Sequence, residues 1–143
     1  MDKNLVSVII PLYNTEEFVE EAVRSIMCQT LREIEIIVIN DGSTDNSLSI
    51  IKRLADEDKR IRIYTQYNQG PSVTRNKGYE YTQGKYVYFM DSDDYLEPEA
   101  LETCYIKCER QALDFVFFDA DILNKEKHKN ISCLLYTSDA ADD

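Results

Sequence analysis

Tyr88-Phe-Met-Asp91-Ser-Asp93-Asp94 is the stretch on which the chain turns. Residues 86–90 form an apolar run that ends abruptly in three carboxylates. A short apolar run of this kind reads as a buried strand, here delivering an acidic loop to a sheet edge. In extended chain residues i and i+2 point the same way, so Asp91 and Asp93 would aim at one point. That suits a hard divalent cation, which takes oxygen ligands and keeps further positions for water and phosphate. An acidic loop capping the next helix is the alternative for the same residues.

Working outward, the strand-like runs are residues 5–10, 34–39, 61–65, 86–90 and 115–118. The first two are continuously apolar, as in a parallel sheet buried on both faces. Pro11 is expected to end the first. Asn14 with Glu17 three residues later suggests a helix start, and Phe18, Val19, Ala22, Val23, Ile26 and Met27 then recur at helical spacing. A second helix follows Asp45, with Leu48, Ile51, Leu54 and Ala55 as its core face. Asn68-Gln-Gly-Pro71 reads as a turn opening a third helix with proline in its first turn. The fourth starts at Glu97-Pro98, with Leu101, Cys104, Tyr105 and Cys108 inward. After Asp121 the pattern fades. Strands alternating with helices predict an open, mostly parallel, doubly wound α/β sheet flanked by helices.

In such a sheet the carboxyl ends of the strands share one rim, where ligands bind. Tyr13 and Asn14 follow the first strand, Asp41 the second, Asn68 and Gly70 the third, and Asp91, Ser92 and Asp93 the fourth. Arg75 lies in the third helix. A tyrosine can stack on a base, and a carboxylate can accept a hydrogen bond from a base or ribose. An arginine can meet phosphate, and metal-bound carboxylates can stabilise a departing diphosphate. Together these describe a nucleoside-diphosphate site. The P-loop and the dinucleotide fingerprint are both missing.

The chain has 143 residues, enough for one domain or part of a larger one. Its 43% hydrophobic content supports a core, and its net charge of −11 argues against a nucleic-acid partner. No run of eighteen apolar residues exists, and the N-terminus lacks a secretory cleavage pattern. Cys28, Cys104, Cys108 and Cys133 show neither disulfide nor zinc spacing, and are expected to be buried free thiols in a reducing cytoplasm. His128 belongs to no triad. Residues 133–143 resemble the translation of a sequencing adapter. They are set aside as a non-native tail, leaving 1–132 as an incomplete domain that the natural protein would continue.

Val8-Ile-Ile-Pro11-Leu-Tyr-Asn14, Ile36-Ile-Val-Ile-Asn-Asp41-Gly-Ser-Thr-Asp45, Asn68-Gln-Gly70, Arg75-Asn-Lys-Gly78 and Phe89-Met-Asp91-Ser-Asp93-Asp94 occur in this order. Together they resemble family 2 glycosyltransferases of the GT-A fold over residues 4–119. The resemblance implies an inverting, hexosyltransferase-class enzyme. It would move a sugar from a nucleotide-diphosphate donor, UDP-linked in most cases, to a glycan or lipid-linked acceptor. It implies that Pro11, Tyr13 and Asp41 border the uracil and ribose, with Asn14, Asn68, Gly70 and Ser92 also on the donor side. Asp91 would lie near the ribose, and Asp91 and Asp93 would hold Mg²⁺ or Mn²⁺. Arg75 would close the donor pocket. It further implies bacterial surface-polysaccharide synthesis in the cytoplasm, at the inner membrane face, with peripheral membrane association through the remainder of the protein.

In that family the general base comes from the later half of the domain. Asp119 and Asp121 follow the Asp-x-Asp too closely for that role, so the base is unassigned. The expectation for this chain is donor binding without efficient transfer. Three other readings compete. A nucleotidyltransferase would carry a basic glycine-rich loop after the first strand, where this chain has Pro-Leu-Tyr-Asn-Thr-Glu-Glu. A response-regulator-like domain would need an aspartate after the third strand, where Asn68 stands. A nucleotide-sugar-binding module without catalysis differs from the enzyme only in its later half.

Overall fold

The computed structural model describes residues 4–121 and 130–137, with side chains through residue 114. The elements are β1 (Val6–Leu12), α1 (Val19–Met27), β2 (Ile34–Asp41), α2 (Ser47–Glu57), β3 (Ile61–Gln66), α3 (Pro71–Tyr79), β4 (Tyr86–Phe89), α4 (Ala100–Gln111), β5 (Phe115–Asp121) and β6 (Asn130–Thr137). They build one six-stranded sheet in the order β3-β2-β1-β4-β6-β5. Strands β1 to β4 are mutually parallel. Strand β6 runs antiparallel to both β4 and β5.

Alternation along the strands sorts the core into two layers. Val6, Val8, Ile10 and Leu12 of β1 join Ile34, Ile36 and Val38 of β2, and Tyr86 and Tyr88 of β4, in the larger cluster. Val19, Val23 and Ile26 of α1, Ile51 and Leu54 of α2, and Leu101, Cys104 and Cys108 of α4 close over it. Residues of opposite parity, Ile9, Ile37 and Ile39, are fully buried on the other face. There α3 lies so close that Gly78 packs directly on Ile9 and Ile39. Each such side chain contributes roughly 1.5–3 kcal/mol by burial.

Four local expectations are corrected. Pro11 does not end β1; the strand continues to Leu12, with Pro11 paired to Ile39. Ile9 O accepts from Met90 N, so the same edge of Pro11 faces the place where β4 has already stopped. Its missing N–H therefore costs no ladder bond. Asn14 does not start α1. It adopts φ 48°, a left-handed conformation that asparagine tolerates, and the helix winds up from a turn in which Phe18 N and Val19 N donate to Thr15 O. Phe18 is consequently 53% exposed rather than part of the core face. Cys28, at the C-cap of α1, is exposed, whereas Cys104 and Cys108 are buried as expected.

The fading pattern after Asp121 hides a further strand. β6 enters the sheet between β4 and β5 and includes residues 133–137 of the stretch set aside above. Residues 138–143 and His128 lie outside the described residues.

Candidate functional site

Because β1 to β4 are parallel, their carboxyl ends share one rim. Strand β4 ends at Phe89, and Met90 buries itself beneath the loop. Asp91, Asp93 and Asp94 then stand exposed, with one carboxylate oxygen from each within 4.8 Å of the others. The intervening Ser92 points inward and is 6% exposed. Its hydroxyl shares a 2.7 Å hydrogen bond with Thr15 Oγ1, while Thr15 N donates to Ser47 Oγ at the start of α2. A turn closed by Asp94 N donating to Asp91 O thus sets the carboxylates outward and latches Ser92 between them. The far end of the loop is held by α1 and the residue just past its C-cap: Leu96 N donates to Ser25 Oγ, Gln29 Nε2 donates to Glu97 O, and Leu101 N donates to Gln29 Oε1.

This all-oxygen, anionic cluster fits a hard divalent cation rather than a soft one. Its self-repulsion is visible in Asp94. Desolvation, then the charges of Asp91 and Asp93, push its carboxyl above the usual range. Arg75 supplies the balancing charge, its Nη2 lying 3.1 Å from Asp91 Oδ1. Both partners are substantially exposed, so the pair is adjustable rather than a fixed strut.

A second knot forms at the ends of β2 and β3. Asp41 is 4% exposed. Its Oδ1 accepts from Gln66 Nε2 at 3.0 Å and Gln69 N at 2.8 Å. Its Oδ2 accepts from Gly70 N at 3.0 Å and Asn68 Nδ2 at 3.3 Å. Desolvation alone would raise this carboxyl. Donation from Gln66 and from the Gln69 and Gly70 N–H groups outweighs it, and the group titrates below its ordinary range. Gly70, at φ 92°, is the N-cap of α3, so the knot leads into the helix that carries Arg75.

The structure therefore brings together two groups of predicted residues, Asp41 with Asn68 and Gly70, and Arg75 with the Asp91–Asp94 loop, joined by α3. Pro11 is half-buried and Tyr13 is 48% exposed at the end of β1. Asn14 is committed to a neighbouring loop, where its Oδ1 accepts from Thr44 N and Asp45 N. Thr15, Ser47, Gln29 and Gln66 escaped the sequence reading. Only the Asn14-Thr15 pair hinted at a role, through its place at the end of β1. A shallow depression of about 540 Å³ on the outer side of α3, lined by Gln66, Gln69, Val73, Asn76, Lys77, Tyr79 and Glu80, excludes the carboxylate loop.

These features define an open α/β rim that carries an acidic loop. The chain belongs to glycosyl transferase family 2, whose sequence profile matches residues 7–135. An uncharacterized glycosyltransferase of Haemophilus influenzae is 44% identical over 103 residues, 71% of this chain and 41% of its own length. The uncharacterized glycosyltransferase YibD of Escherichia coli is 44% identical over 118 residues, 82% of this chain and 34% of its own length. The chain thus spans about two fifths or less of these relatives. Among solved structures, S. aureus TarS in complex with UDP-GlcNAc superposes with a TM-score of 0.80 at 29% identity, over 86% of this chain and 36% of that one. Its UDP complex gives 0.79 at 28%, over 86% and 37%. The architecture is the GT-A fold.

Proposed function

We propose that this chain forms the nucleotide-sugar donor side of an inverting glycosyltransferase, with a UDP-sugar as donor and a glycan or lipid-linked acceptor. The observation that carries this reading is the set of three carboxylates within 4.8 Å at the carboxyl rim, with the Arg75 guanidinium against one of them. A diphosphate needs both a cation held by oxygen ligands and a direct cationic partner. Asp91 and Asp93 would hold Mg²⁺ or Mn²⁺, which when bound neutralises the charge developing on the leaving diphosphate. Arg75 would turn from Asp91 toward a phosphate oxygen. Tyr13 offers an exposed ring for the base, and Pro11 and Asn14 shape the strand end beneath it. Asn68 and Gly70 line the loop on the far side. Ser92 holds the carboxylates in aim from below.

TarS in complex with UDP and with UDP-GlcNAc supports the choice of nucleotide. A donor-binding module without transfer is the second reading. Acceptor activation, and hence inversion, belongs to the whole protein, and no residue here is assigned as general base.

Isothermal titration of the 143-residue chain with UDP, with and without Mn²⁺, tests the proposal. Mn²⁺-dependent UDP binding is expected. Preference for UTP over UDP would favour nucleotidyl transfer, and absence of UDP binding at millimolar Mn²⁺ would overturn the donor-site reading. Among the described residues no helix is long and apolar enough to cross a membrane. Placement at the inner membrane face remains part of the proposal.

A further inference from the structure

We infer that Asn14 and Ser43 are positioning residues: they clasp the end of β1 against the turn after β2, and so hold Tyr13 in place as a platform for the base. This rests on the donor-site reading above and gives Asn14 a part other than touching the donor. The β1–β2 ladder ends at the pair Leu12–Asn40, so Tyr13 lies one residue past it. Its ring is 48% exposed. A ring half in solvent is aimed largely by its backbone, and that backbone must be held by its neighbours.

Ser43 brackets that residue. Its hydroxyl accepts from Asn14 N at 3.2 Å and donates to Leu12 O at 3.5 Å, on either side of Tyr13. Ser43 is itself fixed through its N–H, which donates to Asn40 Oδ1 at 3.1 Å. Asn14 closes the clasp from the β1 side. Its Oδ1 accepts from Thr44 N at 2.8 Å and Asp45 N at 3.3 Å, and its Nδ2 donates to Thr44 Oγ1 at 3.3 Å. These bonds are made at φ 48°, a conformation that asparagine tolerates better than most residues. The exchange continues along both segments. Thr15 N donates to Ser47 Oγ, Glu16 N to Asp45 Oδ2, and Asn46 N to Glu16 Oε2. The N–H groups of residues 14–16 are thus capped by side chains of Ser43, Asp45 and Ser47, and those of residues 44–46 by side chains of Asn14 and Glu16. Such reciprocal capping replaces the ladder where the ladder has ended, and the chain leaves Tyr13 along a fixed path. The acidic loop is held separately, by Thr15 Oγ1 on Ser92 and by Ser25 of α1, and not by the Asn14 side chain.

Calorimetry in Mn²⁺ compares wild type, Asn14→Ala, Tyr13→Ala and the double variant, with UDP and with inorganic pyrophosphate, which has neither base nor ribose. Positioning predicts that Asn14→Ala weakens UDP about fivefold and leaves pyrophosphate within about twofold of wild type. In the Tyr13→Ala background the same substitution should change UDP affinity by less than about twofold, since the ring it positions is gone. A loss equally large without the ring would mean that Asn14 touches the donor itself, and would overturn the inference. A matched loss for pyrophosphate would mean collapse of the rim and would overturn it too, as would unchanged UDP affinity in Asn14→Ala. Wild-type UDP affinity in Tyr13→Ala would remove the platform, and the inference with it. Where pyrophosphate binds too weakly to compare, the Tyr13 cycle decides. A wild type that binds neither ligand overturns the donor-site reading itself. Should Asn14→Ala fail to fold, Ser43→Ala enters the same cycle, removing the hydroxyl that brackets Tyr13. A loss of UDP affinity that requires the ring is again expected, and one that persists without it overturns the inference.

Discussion

A Cβ added to Gly78 would lie 2.5 Å from Ile9 Cγ2 and 3.4 Å from Ile39 Cγ1. Both isoleucines are fully buried, and β1 cannot retreat from α3 because its opposite face packs against α1, α2 and α4. Gly78→Ala should therefore destabilise by about 1–3 kcal/mol through overpacking, read as a lower urea midpoint at unchanged slope. A shift within 0.3 M of wild type would show that α3 slides outward freely. Asp93 argues the opposite way. It is exposed and contributes little to the core, so Asp93→Asn should leave the urea midpoint near wild type. Mn²⁺-dependent UDP binding should weaken by at least about tenfold, since one ionic ligand is lost. Equal Mn²⁺-dependent UDP affinity for wild type and Asp93→Asn would remove the metal from the reading. At this scale the sequence displayed the residue types but not their commitments. The period of extended chain places Asp91 and Asp93 together, but what gathers them is a turn, with Asp94 N donating to Asp91 O. Nothing in the string Asn-Asp41-Gly-Ser-Thr showed that the Asp41 carboxylate is already filled, because its donors come from residues 25 or more positions away.

At the scale of elements, the order of β1 to β4 with α1 to α4 was readable because continuous apolar strands and helical spacing survive in local sequence. Boundaries that depend on distant partners were not. Pro11 looked like a strand end, yet it is tolerated because β4 is shorter than β1 on that side. Asn14 looked like a cap, yet it bonds across to the 43–45 loop. Strand β6 joins the sheet through pairing with β4 and β5, which no local pattern encodes. Gln29 shows how much such long-range bonding carries. It is fully buried between α1 and the loop before α4, donating to Ser25 O and Glu97 O and accepting from Leu101 N. Gln29→Leu fits the volume but leaves Leu101 N and Glu97 O without this partner. A cost of about 1–3 kcal/mol per stranded group follows, seen as a lower melting temperature. Because the same bonds hold the far end of the carboxylate loop, Mn²⁺ affinity should fall as well. A variant with wild-type Mn²⁺ affinity despite its lower melting temperature would confine Gln29 to packing.

For the whole molecule, the titrating groups set a pH window with two different edges. Asp58 lies below its ordinary value of 3.8 because Arg60 bonds it. Asp41 does so because hydrogen bonds outweigh its desolvation. A carboxyl depressed in the folded state adds stability that is present above its unfolded value and is lost as pH falls through the folded one. The acid edge therefore opens below about pH 4. Tyr86 gives the alkaline edge. Burial first, then its hydrogen bond to Glu109 at 2.5 Å, raise the phenol above its ordinary 10.0. Raised pKa means that its contribution is complete below pH 10 and is lost as pH climbs beyond it. Melting temperature plotted against pH should be flat from about 5 to 9 and should fall on both sides. Tyr86→Phe keeps the ring, including its edge-on packing against Tyr105 at 5.6 Å, and removes the titrating proton. That variant should start about 1 kcal/mol lower at pH 7, for the lost hydroxyl bond. It should then decline less than wild type between pH 10 and 11, while its acid limb stays unchanged. An alkaline limb as steep in Tyr86→Phe as in wild type would assign that edge to the lysines and the other tyrosines instead.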